Sequence, residues 1–291
     1  MKKIRPLFLL LALTTTSCRA SQQSVSSIWP ELYAYCVEVG VPGLKPRPLA
    51  EQAKLLRELG YDGIGWSLKP GDGLDLKVLD EAGLPLRMAW AMMNVNSAKG
   101  PAYNPALPEA IRKLKGRPVT VCMMITGLKS ADPQGMETAV KALRELGDIA
   151  AAAGVRISVY HHDGFWAERL PFVLEVVNKV NHPQVGFNFN VSHWLKAEGD
   201  KDYRPLLRAN AVKLFCVTLN GATVGAKTWQ TGLIRPLDEG NFDNQHLLVT
   251  LREIGYRGPV GLMCFSIPGD ARGHLTRSMN TWKSWREATT K

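Results

Sequence analysis

Two histidines, His162 and His193, give this sequence its clearest capacity for proton transfer. An unperturbed imidazole titrates near ~6.5, so it can take up and release protons at neutral pH. His162 belongs to the run Tyr160-His161-His162-Asp163, and His193 to Asn188-Phe189-Asn190-Val191-Ser192-His193-Trp194. Side chains alternate faces along a strand, so Tyr160 shares a face with His162, and Asn188 with Asn190. His161 then points the other way and reads as structural. Further polar tips are Asn94, Thr126, Thr218 and Asn220. Paired imidazoles and amides at alternating positions exceed what a merely solvated rim requires. If those faces converge, they form one cavity equipped for general acid–base work. His182, His246 and His274 stand in helix or loop contexts and read as surface residues.

The elements that would position these groups repeat along the chain. Leu55-Leu56-Arg57-Glu58-Leu59-Gly60-Tyr61-Asp62-Gly63 is echoed by Leu251-Arg252-Glu253-Ile254-Gly255-Tyr256-Arg257-Gly258, with a looser copy from Leu143 to Val159. Each is an amphipathic helix, a glycine suited to a left-handed cap, and an apolar strand. Eight candidate strands follow: Tyr33–Val37, Gly63–Trp66, Arg87–Met92, Val119–Ile125, Ile157–His161, Val185–Asn190, Val212–Thr218 and Val260–Phe265. Helical periodicity is clearest at Leu49–Leu59, Met136–Ala153, Leu170–Val180 and Gln245–Ile254, with His274–Arg286 as the eighth helix. The pattern predicts an α/β fold, a (β/α)8 TIM barrel in one domain over residues 30–288, with a doubly wound open sheet as the second choice. In a barrel the polar tips lie at the end where chemistry is done. No GxGxxG or GxxxxGK[ST] loop follows any strand, which disfavours nucleotide binding.

The 291 residues exceed the ~250 of a typical barrel by a short N-terminal extension. That extension starts with Lys2, Lys3 and Arg5, runs through the apolar stretch Leu7 to Leu13, and reaches Thr15-Thr16-Ser17-Cys18. It reads as a signal segment over residues 1–20, for export to the periplasm or for lipid anchoring at Cys18, with plain cleavage after Ala20 as the alternative. It is too short to span a membrane. The formal charge of +10 is scattered among acids and lacks aromatic interleaving, so no nucleic-acid partner is expected. Cys36, Cys122, Cys216 and Cys264 fall in apolar strands without a CxxC pair, and buried thiols are the expectation over disulfides.

Taken in order, Gly60-Tyr61-Asp62-Gly63, Gly154 to His162, Val185 to His193, Pro236-Leu237-Asp238-Glu239-Gly240-Asn241-Phe242-Asp243 and Gly255-Tyr256-Arg257-Gly258-Pro259-Val260 resemble the xylose-isomerase-like barrel superfamily of sugar phosphate isomerases and epimerases. The resemblance covers roughly Leu32 to Trp285. It implies a divalent metal held by Glu, Asp, His and Glu at four strand ends. Here those positions carry Tyr160, Asn190, Val217 or Thr218, and Met263. The set lacks the carboxylates that hard divalent ions favour. No cofactor is therefore expected; a divalent ion would need a site rebuilt from His162, His193 and Glu239.

The resemblance thus implies a carbohydrate partner and proton transfer next to a sugar carbonyl. His162 would serve as base or acid, His193 as its partner or as a hydrogen-bond donor, with Glu239 as a third catalytic candidate. Trp66, Asn94, Tyr160, Asn188, Asn190, Trp194, Lys196 and Asn220 would bind the sugar, the indoles by stacking and the polar groups by hydrogen bonds. Asp243 reads as a helix N-cap. Isomerisation, epimerisation and lyase or hydratase chemistry share the proton-transfer step, and a non-catalytic sugar-binding barrel is the alternative. An endonuclease is disfavoured, because export separates it from DNA and its zinc ligands are missing. The sugar and the oligomeric state are left open.

Overall fold

A computed structural model describes residues 29–289 of the chain. The signal-segment reading falls on residues outside them. Eight parallel strands follow one another around a closed barrel, and β8 pairs with β1 to complete it. The order is β1 (Leu32–Tyr35), α1 (Leu49–Leu59), β2 (Gly63–Ser67), α2 (Leu76–Ala82), β3 (Leu86–Asn94), α3 (Leu107–Arg112), β4 (Thr120–Thr126) and α4 (Met136–Ala153). It continues with β5 (Arg156–Tyr160), α5 (Leu170–Val180), β6 (Val185–Asn190), α6 (Val191–Glu198), α7 (Arg204–Ala209), β7 (Leu214–Leu219), α8 (Asn244–Glu253), β8 (Val260–Met263) and α9 (Ala271–Thr289).

The pattern of apolar residues accounts for these elements. In α4, the buried Ala139, Ala142, Leu143, Leu146, Ala150 and Ala153 recur at three- and four-residue spacing and make one face against the barrel. Every residue of β6 and β7 is buried, because helices cover one face and the packed interior the other. Gly60 and Gly154 end their helices at φ 86° and 70°, a region open to glycine at little cost, and each sends the chain straight into the next strand. The predicted bounds of α1, α4 and α5 coincide with those observed. The seventh strand starts later than expected. Val212 lies in a 3₁₀ turn, largely exposed, and the ladder begins at Leu214.

The interior is filled by large rings set against small residues. At Gly65 a Cβ would press on the Cβ of Tyr35 at 2.6 Å, so glycine there lets the Tyr35 ring reach across the barrel. The four described cysteines are free thiols; Cys122, Cys216 and Cys264 are buried, and the Tyr33 hydroxyl lies 3.4 Å from Cys216 Sγ. His274 departs from its expected surface place. It lies on the buried face of α9 with Ser278, whose hydroxyl donates to the His274 carbonyl, and burial pushes its pKa down to about 4. His182 is half-buried, within 3.2 Å of Asp148, and His246 meets Arg204 at 3.0 Å. No helix among the described residues is long and apolar enough to cross a membrane.

Candidate functional site

At the C-terminal mouth of the barrel, the side chain of Asn190 joins four elements. Its Nδ2 lies 2.7 Å from Thr218 Oγ1, 2.8 Å from Tyr160 Oη and 3.1 Å from Tyr35 Oη, and the two phenol oxygens are 3.2 Å apart. Its Oδ1 accepts from the His193 N–H at 2.8 Å and from Ser192 Oγ at 2.7 Å, which makes Asn190 the N-cap of α6. One carboxamide therefore ties β1, β5, β6 and β7 together and starts the helix that carries His193. Burial raises the pKa of both phenols, so they stay neutral.

Above this network stand the two imidazoles, with ring centroids 4.0 Å apart and planes tilted by 38°. His162 also stacks on Phe165 at 3.9 Å, while His193 meets Tyr160 edge-on at 5.6 Å and Trp229 at 5.1 Å. The backbone of Asp163 orients both rings. His162 Nδ1 lies 2.9 Å from the Asp163 carbonyl, an acceptor, so its proton sits on Nδ1 and Nε2 is a free lone pair. The Asp163 N–H donates to His193 Nδ1 at 3.2 Å, which places that ring's proton on Nε2. His193 Nε2 is buried and has no hydrogen-bond partner among the described residues. Burial lowers both pKa values, with the neighbouring His162 adding to the effect at His193, so both rings are neutral at pH 7. The pair thus offers one base and one N–H donor side by side.

His161 faces away from the mouth, as its parity requires. Its Nε2 accepts from the Asn190 N–H at 2.9 Å, which locks the tip of β5 to β6, and burial pushes its pKa down to about 3. Around the ends of β3 and β4, the loops after β2 and β3 border a cleft of about 360 Å³ that includes Met92, Asn94 and Thr126 in its lining.

A profile of the family described as xylose isomerase-like TIM barrel matches residues 108–285, more than half of the chain. The chain belongs to the xylose isomerase-like TIM barrel family. No curated protein matches it. Among solved structures, an L-ribulose 3-epimerase is similar at TM-score 0.66 and 16% identity, over 90% of this chain and 98% of its own. The IolI protein, solved with a zinc atom, is similar at 0.66 and 20%, over 89% and 98%. A 3-keto-D-glucoside 4-epimerase from E. coli is similar at 0.63 and 16%, over 85% and 99%. At these identities the likeness is one of fold.

Within the xylose isomerase-like frame, the candidates divide. His162, His193, Tyr160 and Asn190 come together, and Asn94 lines the cleft. Other candidates stand elsewhere. Asn188 is one layer deeper, fully buried and in register with Cys216. Trp194 packs against Phe189 and Tyr203, with its indole N–H on the Lys201 carbonyl. Trp66 alternates with Gly65 and so faces the helices; its N–H donates to the Asp72 carbonyl. Asn220 spends its amide on the carbonyls of Gly221 and Leu233, which shapes the long loop after β7. Glu239 is ion-paired with Arg235 and Arg277 rather than with either histidine. Lys196 donates to the Lys227 carbonyl at 2.9 Å, stands 5.7 Å over the Trp229 ring, and acts electrostatically on the Asp163 carboxyl. The sequence reading missed Tyr35, Phe165 and Trp229. Phe165 flanks the histidines from the loop after β5 and Trp229 from a π-helical turn after β7, and Tyr35 comes from the strand that closes the barrel. Thr218, with its hydroxyl on Asn190, is the β7 residue that faces the interior. Asp243 caps α8 as expected, accepting from the His246 N–H at 2.9 Å.

Proposed function

We propose that the protein is an enzyme of the sugar isomerase and epimerase type, which moves a proton next to a sugar carbonyl with His162 and His193 and without the divalent ion its family implies. The observation that carries this reading is the pair of fixed, opposite tautomers: a bare Nε2 on His162 beside an Nε2–H on His193.

The donor set argues against the ion. Where the resemblance implies Glu, Asp and His ligands, Tyr160, Asn190 and Thr218 are bonded to each other, and the centre of the group is an amide N–H. Neutral phenols, a hydroxyl and a carboxamide supply no anionic oxygen to compensate a dehydrated dication. Among the described residues, no three His, Cys, Asp or Glu side chains form a metal-binding group, and Glu239 is held by its arginines.

In the proposed reaction His162 Nε2 takes the proton from the carbon beside the ketone. The C–H electron pair forms the new C=C bond, and the carbonyl pair moves onto oxygen, where the His193 Nε2–H stabilises it. Protonation of that carbon from the opposite face by solvent, with His162 releasing its proton to water, gives an epimer; protonation of the former carbonyl carbon, with the O–H proton of the adjacent hydroxyl passing to the oxyanion, gives an aldose–ketose isomer. Support for a sugar comes from relatives of the fold, among them a D-allulose 3-epimerase in complex with D-allulose. The basic N-terminal segment ending at Cys18 supports work outside the cytoplasm, periplasmic or lipid-anchored, which radiolabelled palmitate incorporation would test.

The test is proton NMR of keto-sugars in D2O. Deuterium should enter the carbon next to the carbonyl with the wild-type protein, and at least ~100-fold more slowly with His162→Ala. A bound keto-sugar that never exchanges would assign the chain to the non-catalytic binding barrels.

A further inference from the structure

The mouth of the barrel has two halves of different character. Proton-transfer groups stand at β5 and β6, whereas the walls over β2, β3 and β4 are mostly carbon. The cleft there measures about 360 Å³, within the size range of small-molecule pockets, and Leu68, Pro101, Tyr103 and Leu107 contribute to its sides. Lys69 is the charged residue of its lining. Met92 is 44% exposed, although it sits within β3 among buried neighbours. A monosaccharide ring, with a hydroxyl on nearly every carbon, gives no account of such a wall.

Strand register leads from this apolar half toward the histidines. Met92 pairs with Met124, and Met124 with Tyr160, along adjacent strands. The Tyr160 ring is in turn 6.1 Å from His162 and 5.6 Å from His193. The half-buried Trp90 lies two residues below Met92, 6.3 Å from Tyr35. A ligand with its reacting carbon at His162 would extend over thioethers, with an ammonium at the edge.

We propose that the cleft holds the aryl group of an aryl glycoside, so that the sugar ring lies at His162 and His193 while the aglycone lies along Met92 beside Lys69. Thioethers make favourable contacts with aromatic rings, an ammonium is attracted to a ring face, and burial of the ring in an apolar cleft adds the hydrophobic term. The inference rests on the reading that a sugar sits at the histidine pair, and it assigns that sugar an aromatic substituent.

Calorimetric titration of the full chain with 4-nitrophenyl and methyl glucosides, as both anomers, tests it. The expected result is binding of one 4-nitrophenyl glucoside at least tenfold tighter than its methyl counterpart, with the preference lost in Met92→Asp or in Lys69→Glu. Both side chains are exposed, and an unchanged melting temperature verifies that each variant folds. Equal affinities, no binding of either glucoside, or a preference that survives in both variants would overturn the proposal. His162→Ala separates it from the reaction: an aryl preference retained there, in a protein whose wild type exchanges no deuterium, leaves the aryl site standing and removes the proton transfer.

Discussion

Because one carbonyl and one N–H of Asp163 meet the two imidazoles, the direction in which a proton can move is set by the backbone. His162 is the ring with a free lone pair, and its pKa lies below the usual imidazole value because it is buried. The base form therefore persists below pH 6.5. The rate of deuterium incorporation should stay level from pH 8 down through 6.5 and decline only at lower pH; a decline centred at or above 6.5 would assign the base elsewhere. Loss of the N–H donor in His193→Ala should slow incorporation by about a hundredfold, with sugar affinity less affected, as for other groups that stabilise a developing oxyanion. His162 was legible in the sequence from strand parity, whereas His193 stands in the first turn of α6, past the tip of β6, where strand parity does not apply. Trp194, just past the tip of β6, packs on Tyr203, and Glu239, far along the loop after β7, pairs with Arg277: a polar or aromatic loop residue is as readily claimed by another side chain as by a ligand.

At the scale of elements, Asn190 couples the end of β6 to the start of α6 and to three neighbouring strands. Asn190→Ala removes the cap, worth about 0.5–2 kcal/mol, and its two lost N–H donors leave two of the hydroxyls of Tyr160, Tyr35 and Thr218 unsatisfied at roughly 1–3 kcal/mol each. A total loss of about 3–6 kcal/mol is expected in denaturant unfolding, and a loss below ~1 would show that the network is not structural. Asn190→Asp keeps the cap but places a carboxylate among neutral hydroxyls, where burial raises its pKa above that of the unfolded chain. The folded variant then binds more protons than the unfolded one, so its stability relative to wild type should rise as pH falls from 7 toward 4. Helices α1 and α4 were legible to the residue because each ends at a glycine after an unbroken apolar stripe. The start of β7 was not: Val212 continues the apolar character of the strand, and a 3₁₀ turn with bonds from the Lys213 N–H to the Asn210 carbonyl and from the Leu214 N–H to the Ala211 carbonyl separates them.

For the whole molecule, closure of the barrel is what brings Tyr35 to Asn190, 155 positions away in sequence, and no local pattern announces such a contact. Closure also buries neutral histidines. Those at 161 and 274 are pushed down to about 3 and about 4, and His193 is lowered as well. Each binds a proton more readily in the unfolded chain, so their contribution to stability is complete above pH ~6.5 and is lost as pH falls toward the folded-state values. Guanidinium unfolding should show stability declining steadily from pH 6.5 to 4, on the order of several kcal/mol, and a flat profile would argue against buried neutral rings. The replacement of a family cation by the Asn190 amide reaches furthest of these claims. It is tested most directly by deuterium incorporation into a keto-sugar by protein dialysed against chelator, with and without added Mn²⁺ or Zn²⁺. One rate is expected in all three samples, abolished by His162→Ala; activity that vanishes on chelation and returns with the ion would contradict a cation-free site.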